Sequence, residues 1–144
     1  MANKAVKTLD KKELMAGLTL LGKDSNQPSK KLEAFPNLHP GRPYVVTLVC
    51  DEFTCVCPAT GQPDFATITI SYVPDKKIVE SKSLKLYLWS YRNEGVFHEH
   101  VTNMILDDVV AALDPLECHV TGAFKVRGGI AITVNADYRK KSKR

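Results

Sequence analysis

The sequence predicts an α+β domain in which two helices cover one face of an antiparallel four-stranded sheet. Three observations lead to this prediction: residues 44–73 contain two segments of strand character, residues 81–113 contain two amphipathic segments, and residues 118–135 contain two more strand-like segments. Strands and helices in this order are typical of a sheet whose helices lie on one side. The 144 residues fit one domain with one hydrophobic core.

The first two strands are predicted from their side-chain patterns. Residues 44–50 are apolar and rich in valine, which favours a pleated, half-buried strand. Residues 66–73 alternate, so that alanine, isoleucine and tyrosine share one face while threonine and serine share the other. The intervening residues 57–64 include two prolines and a glycine, which predict a stiff loop.

Two amphipathic helices are predicted next. Residues 81–92 carry leucine and tyrosine side chains on one side, and Gly95 is expected at the C′ position that ends this helix. Residues 97–113 follow a stronger stripe, because apolar side chains recur at i, i+4, i+7 and i+8. Asp114 and Pro115 are expected to end the second helix.

The last two strands are predicted at residues 118–126 and 130–135, with a hairpin turn at residues 127–129. These elements place the folded domain at residues 41–136. The polar, turn-rich residues 1–40 are expected to form a partly ordered arm, and residues 137–144 a solvated basic tail. The exposed edges of such a sheet often pair with other copies of the chain, so a homo-oligomer is expected.

Composition limits the classes of protein to consider. There is no apolar run of 18 residues, so no membrane-spanning helix and no membrane partner are expected. No apolar segment with a cleavage site follows the first ten residues, which predicts a cytoplasmic protein. The four cysteines are then expected to be reduced thiols rather than disulfides.

Cys57 is the first candidate for chemistry. It lies where strand character gives way to the stiff loop, and Asp64 lies seven residues further on. A thiol attacks as the thiolate, so it needs a lowered pKa or a nearby base, and Asp64 could accept or deliver the proton. The alternative interpretation is a buried cysteine that packs as a small apolar side chain.

Cys55 and Cys57 also form a Cys-X-Cys pair whose side chains point the same way on an extended chain. Zinc needs four protein ligands, or three and a water. The remaining candidates, Cys118 and His119, are adjacent to each other and far along the chain, which is awkward for chelation. We therefore predict no metal site.

Residues at the two predicted helix starts could bind a ligand. A carboxylate such as Glu99 can accept both the ring N–H and the amino group of a guanine-like base, and His98 could add a hydrogen bond or a proton. The alternatives are that Glu99 only stabilises the first helical turn and that His98 lies on the surface. The other candidates are Glu80, Ser81, the lysines Lys82 and Lys85 as phosphate ligands, and Arg127 beside two glycines.

These segments together resemble the NADPH-dependent 7-cyano-7-deazaguanine reductases, the QueF family. The sequence Glu-Ser-Lys-Ser-Leu-Lys-Leu-Tyr at 80–87 is similar to the signature of that family, and residues 53–65, with Cys-Pro-Ala-Thr-Gly-Gln-Pro-Asp, are similar to its nucleophile loop. Phe-His-Glu at 97–99 and Arg-Gly-Gly-Ile at 127–130 follow in the same order. The resemblance covers about residues 40–135 and indicates the single-module form of the family.

The resemblance implies the tunnelling fold, whose subunits form rings, commonly two stacked pentamers with active sites at subunit interfaces. It also implies reduction of the nitrile of 7-cyano-7-deazaguanine, a small deazapurine, to the aminomethyl base used in queuosine biosynthesis. NADPH would be the cofactor, a covalent thioimide the intermediate, and no nucleic acid would be bound directly.

The same resemblance implies the role of each candidate residue. Cys57 would be the nucleophile and Asp64 the acid/base. Cys55 departs from the pattern expected of the family, and under oxidation it could form a disulfide with Cys57. The base would be bound by Glu80, Ser81, His98 and Glu99, and the cofactor phosphates by Lys82, Lys85 and Arg127.

Two alternatives remain open at this point. One is a zinc-dependent cyclohydrolase, or a pterin- or purine-binding protein, of the same fold. The other is a small RNA-binding module that uses the basic residues near the C-terminus.

Overall fold

The computed structural model describes residues 8–23 and 27–142. None of the helices in these two ranges is long and apolar enough to cross a membrane. The helices and strands of these ranges are α1 (Lys11–Leu14), β1 (Ala34–Pro36), β2 (Val46–Val56), β3 (Pro63–Val73), β4 (Lys77–Val79), α2 (Ser81–Trp89), α3 (His98–Leu113), β5 (Glu117–Phe124) and β6 (Thr133–Arg139).

The main sheet is antiparallel and has the order β2–β3–β5–β6. Its register places Leu48 opposite Ile70, Ile70 opposite Val120, and Val120 opposite Ala136. Because strand side chains alternate between faces, this register collects the apolar residues on one side of the sheet. Buried residues of α2 and α3 join the same core. The predicted α+β class with an antiparallel four-stranded sheet is therefore confirmed.

Strand β2 is longer than the sequence predicted. It runs to Val56 rather than ending at Cys50, because a bulge between Cys50 and Phe53 absorbs the exposed acidic residues Asp51 and Glu52. After the bulge, Phe53 points back into the core. The prediction ended the strand at the place where the alternation changes phase, and the strand in fact continues to the candidate nucleophile.

The hairpin between β5 and β6 has a two-residue turn. Gly128 and Gly129 have φ values of +59° and +79°, and Arg127 pairs with Ile130 across the turn. Two central residues of positive φ are what such a turn requires, so the glycines fit it without strain. Strand β6 itself begins only at Thr133 and runs to Arg139, so the predicted strand at residues 130–135 was placed too early.

The C-terminal part of β6 reaches into the segment that was expected to be a tail. Lys140, which follows it, lies 2.9 Å from the carboxylate of Asp75 and 2.6 Å from that of Asp114. These ion pairs hold the end of the chain against the turn after β3 and the end of α3. The predicted tail residues Lys143 and Arg144 lie outside the described residues.

Helix α2 ends at Trp89, three residues before the predicted end. Gly95 is therefore not its C′ residue. It lies instead beside Val56 in a short parallel bridge, and a Cβ at this position would lie 3.2 Å from Cα of Pro58. This glycine permits the close approach of the loop after α2 to the nucleophile loop.

The N-terminal arm contributes structure of its own. Strand β1 pairs antiparallel with β4, and Leu32 and Ala34 pack against the core. The arm is thus ordered where it meets the domain. Residues 1–7 and 24–26 of the arm lie outside the described residues.

Candidate active site

The end of β2 and the turn after it fix the position of Cys57. Val56 donates its N–H to Glu94 and accepts the N–H of Val96, so the loop after α2 clamps the end of the strand. The N–H of Cys57 donates to the carbonyl of Gln62 over 2.8 Å, and its carbonyl accepts the N–H of Gly61 over 2.8 Å. The chain therefore reverses within a closed turn, and the backbone that carries the thiol is held from both sides.

The surroundings of Cys57 lower the pKa of its thiol to about 7. The main cause is a hydrogen bond from the Thr60 side chain to the thiolate, supported by the backbone N–H groups of Thr60 and Ala59 and by the Arg127 guanidinium. Cys55 is fully buried, and burial raises the pKa of its thiol to about 11. Of these two cysteines, only Cys57 has the character of a nucleophile at neutral pH.

Asp64 lies near the start of β3, opposite Cys55 in the register, and only 7% of it is exposed. One carboxylate oxygen, Oδ1, lies 2.6 Å from Nη1 of Arg127, and the other, Oδ2, lies 3.1 Å from Nε2 of His98. A buried carboxylate with a partner at each oxygen is held in one orientation. Cys57 follows Val56, which pairs with Pro63, the residue before Asp64, and the guanidinium that donates to Asp64 also lowers the pKa of the Cys57 thiol.

The imidazole of His98 is held by packing. Its ring stacks on the ring of Phe124, with 3.8 Å between centroids and an interplanar angle of 9°. The backbone carbonyl of His98 accepts a hydrogen bond of 2.8 Å from the hydroxyl of Thr102, one turn further along α3. Strand β5 and helix α3 together therefore direct Nε2 of His98 at Asp64.

A second group of candidate residues surrounds the start of α2. Glu80 is buried, and its carboxylate caps the helix by accepting the N–H groups of Lys82 over 2.8 Å and Ser83 over 2.7 Å. The cap is thus the glutamate one residue before the helix. Ser81 and Lys85 are exposed beside it and line a groove of about 870 Å³ between α2 and β2.

The N-terminal arm supports Glu80. Glu33 in the arm donates its N–H to the hydroxyl of Ser83 over 2.9 Å and accepts the N–H of Glu80 on its carbonyl over 2.8 Å. The buried carboxylate of Glu33 in turn accepts the backbone N–H groups of Thr19 and Leu20. Burial opposes ionisation of Glu33, yet the hydrogen bond from the Thr19 hydroxyl, together with these N–H groups, outweighs it and lowers the pKa of Glu33.

The structure thus brings some predicted site residues together and leaves others apart. Cys57, Asp64, His98 and Arg127 form one group, and we call it the nucleophile group. Within the described residues, no hydrogen bond or ion pair joins it to the α2 group, which comprises Glu80, Ser81, Lys82 and Lys85. Glu99 lies exposed in the first turn of α3, next to His98.

Sequence reasoning missed three residues that shape the site. Thr60 was seen only as part of a stiff loop, and Phe124 only as part of a predicted strand. Glu33 was left in an arm to which no site was assigned. Their roles depend on contacts between distant segments, so no local pattern in the sequence marks them.

The residues considered as zinc ligands are not brought together. Cys118 is buried in the core, while His119 lies on the opposite face of β5 with its ring 2.5 Å from Asp137. Alternation along a strand separates adjacent side chains in this way. Across residues 8–23 and 27–142, no three histidine, cysteine, aspartate or glutamate side chains are grouped so that they could hold a metal ion.

Comparison with known proteins identifies relatives of this chain. A family model described as QueF-like protein matches residues 63–143. The chain is 68% identical to an NADPH-dependent 7-cyano-7-deazaguanine reductase of Syntrophus aciditrophicus over 89% of this chain and 91% of the relative. It is 61% identical to the protein of that name from Thermomicrobium roseum, over 79% of this chain and 89% of the relative.

A solved structure is also similar. The crystal structure of the archaeosine synthase QueF-Like in the apo form superposes with a TM-score of 0.64 at 25% identity, over 70% of this chain and 99% of that one. The matched family model covers more than half of the sequence, and the relatives match over most of their length. The chain therefore belongs to the QueF-like family.

Proposed function

We propose that this chain is an NADPH-dependent 7-cyano-7-deazaguanine reductase, which reduces the nitrile of that base to an aminomethyl group in queuosine biosynthesis. The observation that carries the proposal is the nucleophile group: a thiol with a pKa of about 7, near a buried carboxylate whose two oxygens are both held. The 68% identity to a reductase of this name supports the substrate assignment.

The first step would join the enzyme to the substrate. The sulfur of Cys57 attacks the nitrile carbon while Asp64 accepts the thiol proton and passes it to the nitrile nitrogen. One S–C bond forms, one C–N π bond breaks, and the product is a neutral thioimide on Cys57. No electrons are gained or lost in this step, so Cys57 and Asp64 suffice for it.

The later steps need hydrides and protons. NADPH supplies the hydrides when bound, and two are needed to convert a nitrile into an amine. Asp64 is placed to deliver protons to the nitrogen, and His98 at 3.1 Å is placed to restore the proton on Asp64. Departure of the Cys57 thiolate between the two reductions is aided by the hydrogen bonds that lower the pKa of the thiol.

Charge indicates where the cofactor would bind. The phosphate groups of NADPH are anionic, and Lys82 and Lys85 project from the first turns of α2. Arg127, exposed on its hairpin, is the third proposed phosphate ligand. These cations fit the donor chemistry that phosphates require.

The base would be bound by carboxylates. Glu99 is exposed and free of the helix-capping role that Glu80 has, so it can accept the ring N–H and amino group of a deazaguanine. Glu80 still has lone pairs beyond those used by Lys82 and Ser83. Ser81, beside it, and His98, beside Glu99, complete the proposed base site.

We place the site at an interface between subunits of the tunnelling fold. Within the described residues of one chain, no hydrogen bond or ion pair joins the nucleophile group to the α2 group, although both are proposed to serve one substrate. Strands β2 and β6 are the outer strands of the sheet and are free to pair with other copies. A ring of subunits, with two stacked pentamers as the expected form, would bring the α2 group of one chain to the nucleophile group of its neighbour.

The test is to mix the purified protein with NADPH and 7-cyano-7-deazaguanine and to follow the loss of the cofactor absorbance. Oxidation of two NADPH per aminomethyl base is expected. Cys57→Ala should abolish turnover and adduct formation, whereas Cys55→Ala, the matched control, should retain both. The proposal fails if mass spectrometry shows no adduct or locates it on Cys55.

A further inference from the structure

We infer that Arg127 is a positioning residue for the reacting pair, because its guanidinium holds Asp64 and the nucleophile loop in place before any cofactor binds. This inference rests on the proposed function and deepens it. It gives Arg127 a role in the step that forms the thioimide, in addition to the proposed contact with cofactor phosphates.

The contacts of the guanidinium carry the inference. Nη1 of Arg127 donates to Oδ1 of Asp64 over 2.6 Å, while Nη2 donates to Oε1 of Gln62 over 2.6 Å and to Oγ1 of Thr60 over 3.2 Å. Gln62 and Thr60 belong to the turn that carries Cys57, and Asp64 begins the next strand. A planar fork reaches these two segments with donors fixed in one geometry, whereas the three donors of an ammonium group rotate about a single bond.

The hairpin delivers Arg127 to this position. The Gly128–Gly129 turn is closed by two hydrogen bonds between Arg127 and Ile130. At the base of the hairpin, Lys125 donates its N–H to the carbonyl of Phe65, the residue after Asp64, over 2.9 Å. The backbone around Arg127 is therefore tied to the strand that bears the carboxylate.

The guanidinium also balances charge. The ionisable groups beside Cys57 and Asp64 are His98 from α3, Arg127 from the hairpin and Cys55 from β2. The carboxylate of Glu94, in the loop after α2, pairs with Lys30 instead. A carboxylate beside a thiolate disfavours the thiolate, and Arg127 offsets that repulsion. Its bond to Thr60 also orients the hydroxyl group that does most to lower the pKa of Cys57.

A role confined to cofactor phosphates makes a different prediction. Thioimide formation needs only the enzyme and the cyano base, so it can be measured with no NADPH present. A residue that serves only the cofactor would not affect that step. It would raise the KM for NADPH and leave the thiol unchanged.

The experiment compares Arg127→Gln and Arg127→Lys with Lys125→Gln, which removes a charge from the same hairpin. Without NADPH, two quantities are measured: the rate of adduct formation with the cyano base, and the pH dependence of Cys57 alkylation by iodoacetamide. In Arg127→Gln we expect adduct formation to slow by about tenfold or more and the alkylation midpoint to rise by about one pH unit. Lys125→Gln should match the wild type.

Arg127→Lys keeps the charge but lacks the fork, so its adduct rate should fall between those of the wild type and Arg127→Gln. It also provides a readout if the glutamine variant does not fold. The inference is overturned if both Arg127 variants form adduct at the wild-type rate and only the KM for NADPH rises. Failure of the wild type to form any adduct would instead overturn the proposed function.

Discussion

At the scale of single residues, the site depends on how neighbouring groups give two similar cysteines different thiol pKa values. Cys55 and Cys57 are two residues apart, yet burial raises the pKa of one thiol to about 11 while hydrogen bonds lower that of the other to about 7. At neutral pH, roughly half of Cys57 is thiolate and almost none of Cys55. The choice of nucleophile thus follows from the turn after β2, not from cysteine as a residue type.

Asp64 can be tested with an isosteric change. Asp64→Asn keeps the shape of the side chain but removes its ability to transfer a proton, so we expect kcat to fall by about 10²–10⁴-fold. The aminomethyl product cannot form the adduct, and its Kd should stay close to that of the wild type. Steady-state kinetics measure the fall in kcat, and calorimetric titration with the product measures its Kd. Equal turnover in the variant would remove Asp64 from the mechanism.

The candidate residues were predictable to different degrees. The loop chemistry pointed to Cys57 and Asp64, carboxylate chemistry pointed to Glu99, and the resemblance supplied the role for Glu80. The sequence alone could not show that Phe124 supports the ring of His98, because strand alternation predicts only that Phe124 faces the core. Nor could it show that Arg127 contacts Asp64, since the two residues are far apart along the chain and meet only through the pairing of β3 with β5.

At the scale of elements, α3 and β5 approach each other closely at Gly122. A Cβ added there would lie 2.5 Å from Oγ1 of Thr102 and 2.9 Å from Cε2 of Phe124. Both neighbours hold His98, one through its carbonyl and the other through its ring. The glycine thus links the packing of a helix on a strand to the orientation of a side chain in the site.

Gly122→Ala should therefore affect both stability and activity. Because the added methyl overlaps packed atoms, we expect the free energy of unfolding to fall by about 1–3 kcal/mol, measured by urea denaturation. Displacement of Phe124 should also lower kcat. Ala123→Ser, a change of similar size on the exposed face of the same strand, is the control and should stay within about 0.5 kcal/mol of the wild type. Unchanged unfolding of Gly122→Ala would show that the contact relaxes at no cost.

The elements themselves were largely predictable, and their ends were not. Periodicity located both long helices and all four strands of the main sheet, because the core face imposes regular spacing on its side chains. The bulge in β2 broke that spacing at Asp51 and Glu52, so the prediction stopped short of Val56. Gly95 was assigned to a helix end, although it serves a contact with Pro58 that only the folded chain creates.

At the scale of the whole molecule, the outer strands β2 and β6 and their apolar side chains bear on assembly. Val45, just before β2, and Val49, within it, are more than 60% exposed. Val126 and Ile130 on the hairpin are exposed to the same degree. Exposed apolar side chains at the outer strands and beside the nucleophile group are consistent with burial against other subunits.

The assembly can first be tested by mass. Ten copies of a 16.0 kDa chain give a particle of about 160 kDa, which light scattering at micromolar concentration would detect. A monomer under those conditions would contradict the expected ring. A smaller ring would change the expected number of subunits but would still allow a site shared between neighbouring subunits.

Mixing inactive variants tests whether two subunits build one site. Cys57→Ala lacks the nucleophile, and Glu80→Gln lacks a base ligand of the α2 group, so each alone should be inactive or nearly so. If the groups come from neighbouring chains, random co-assembly of equal amounts creates intact sites at about a quarter of the interfaces, and activity should return to about that level. Cys57→Ala mixed with Asp64→Asn is the matched control, because both changes fall in the nucleophile group of one chain and no intact site can form. Recovery of activity in the control would show that the two groups do not meet across an interface. The same conclusion would follow if subunit exchange is confirmed and the mixture of Cys57→Ala with Glu80→Gln recovers no activity.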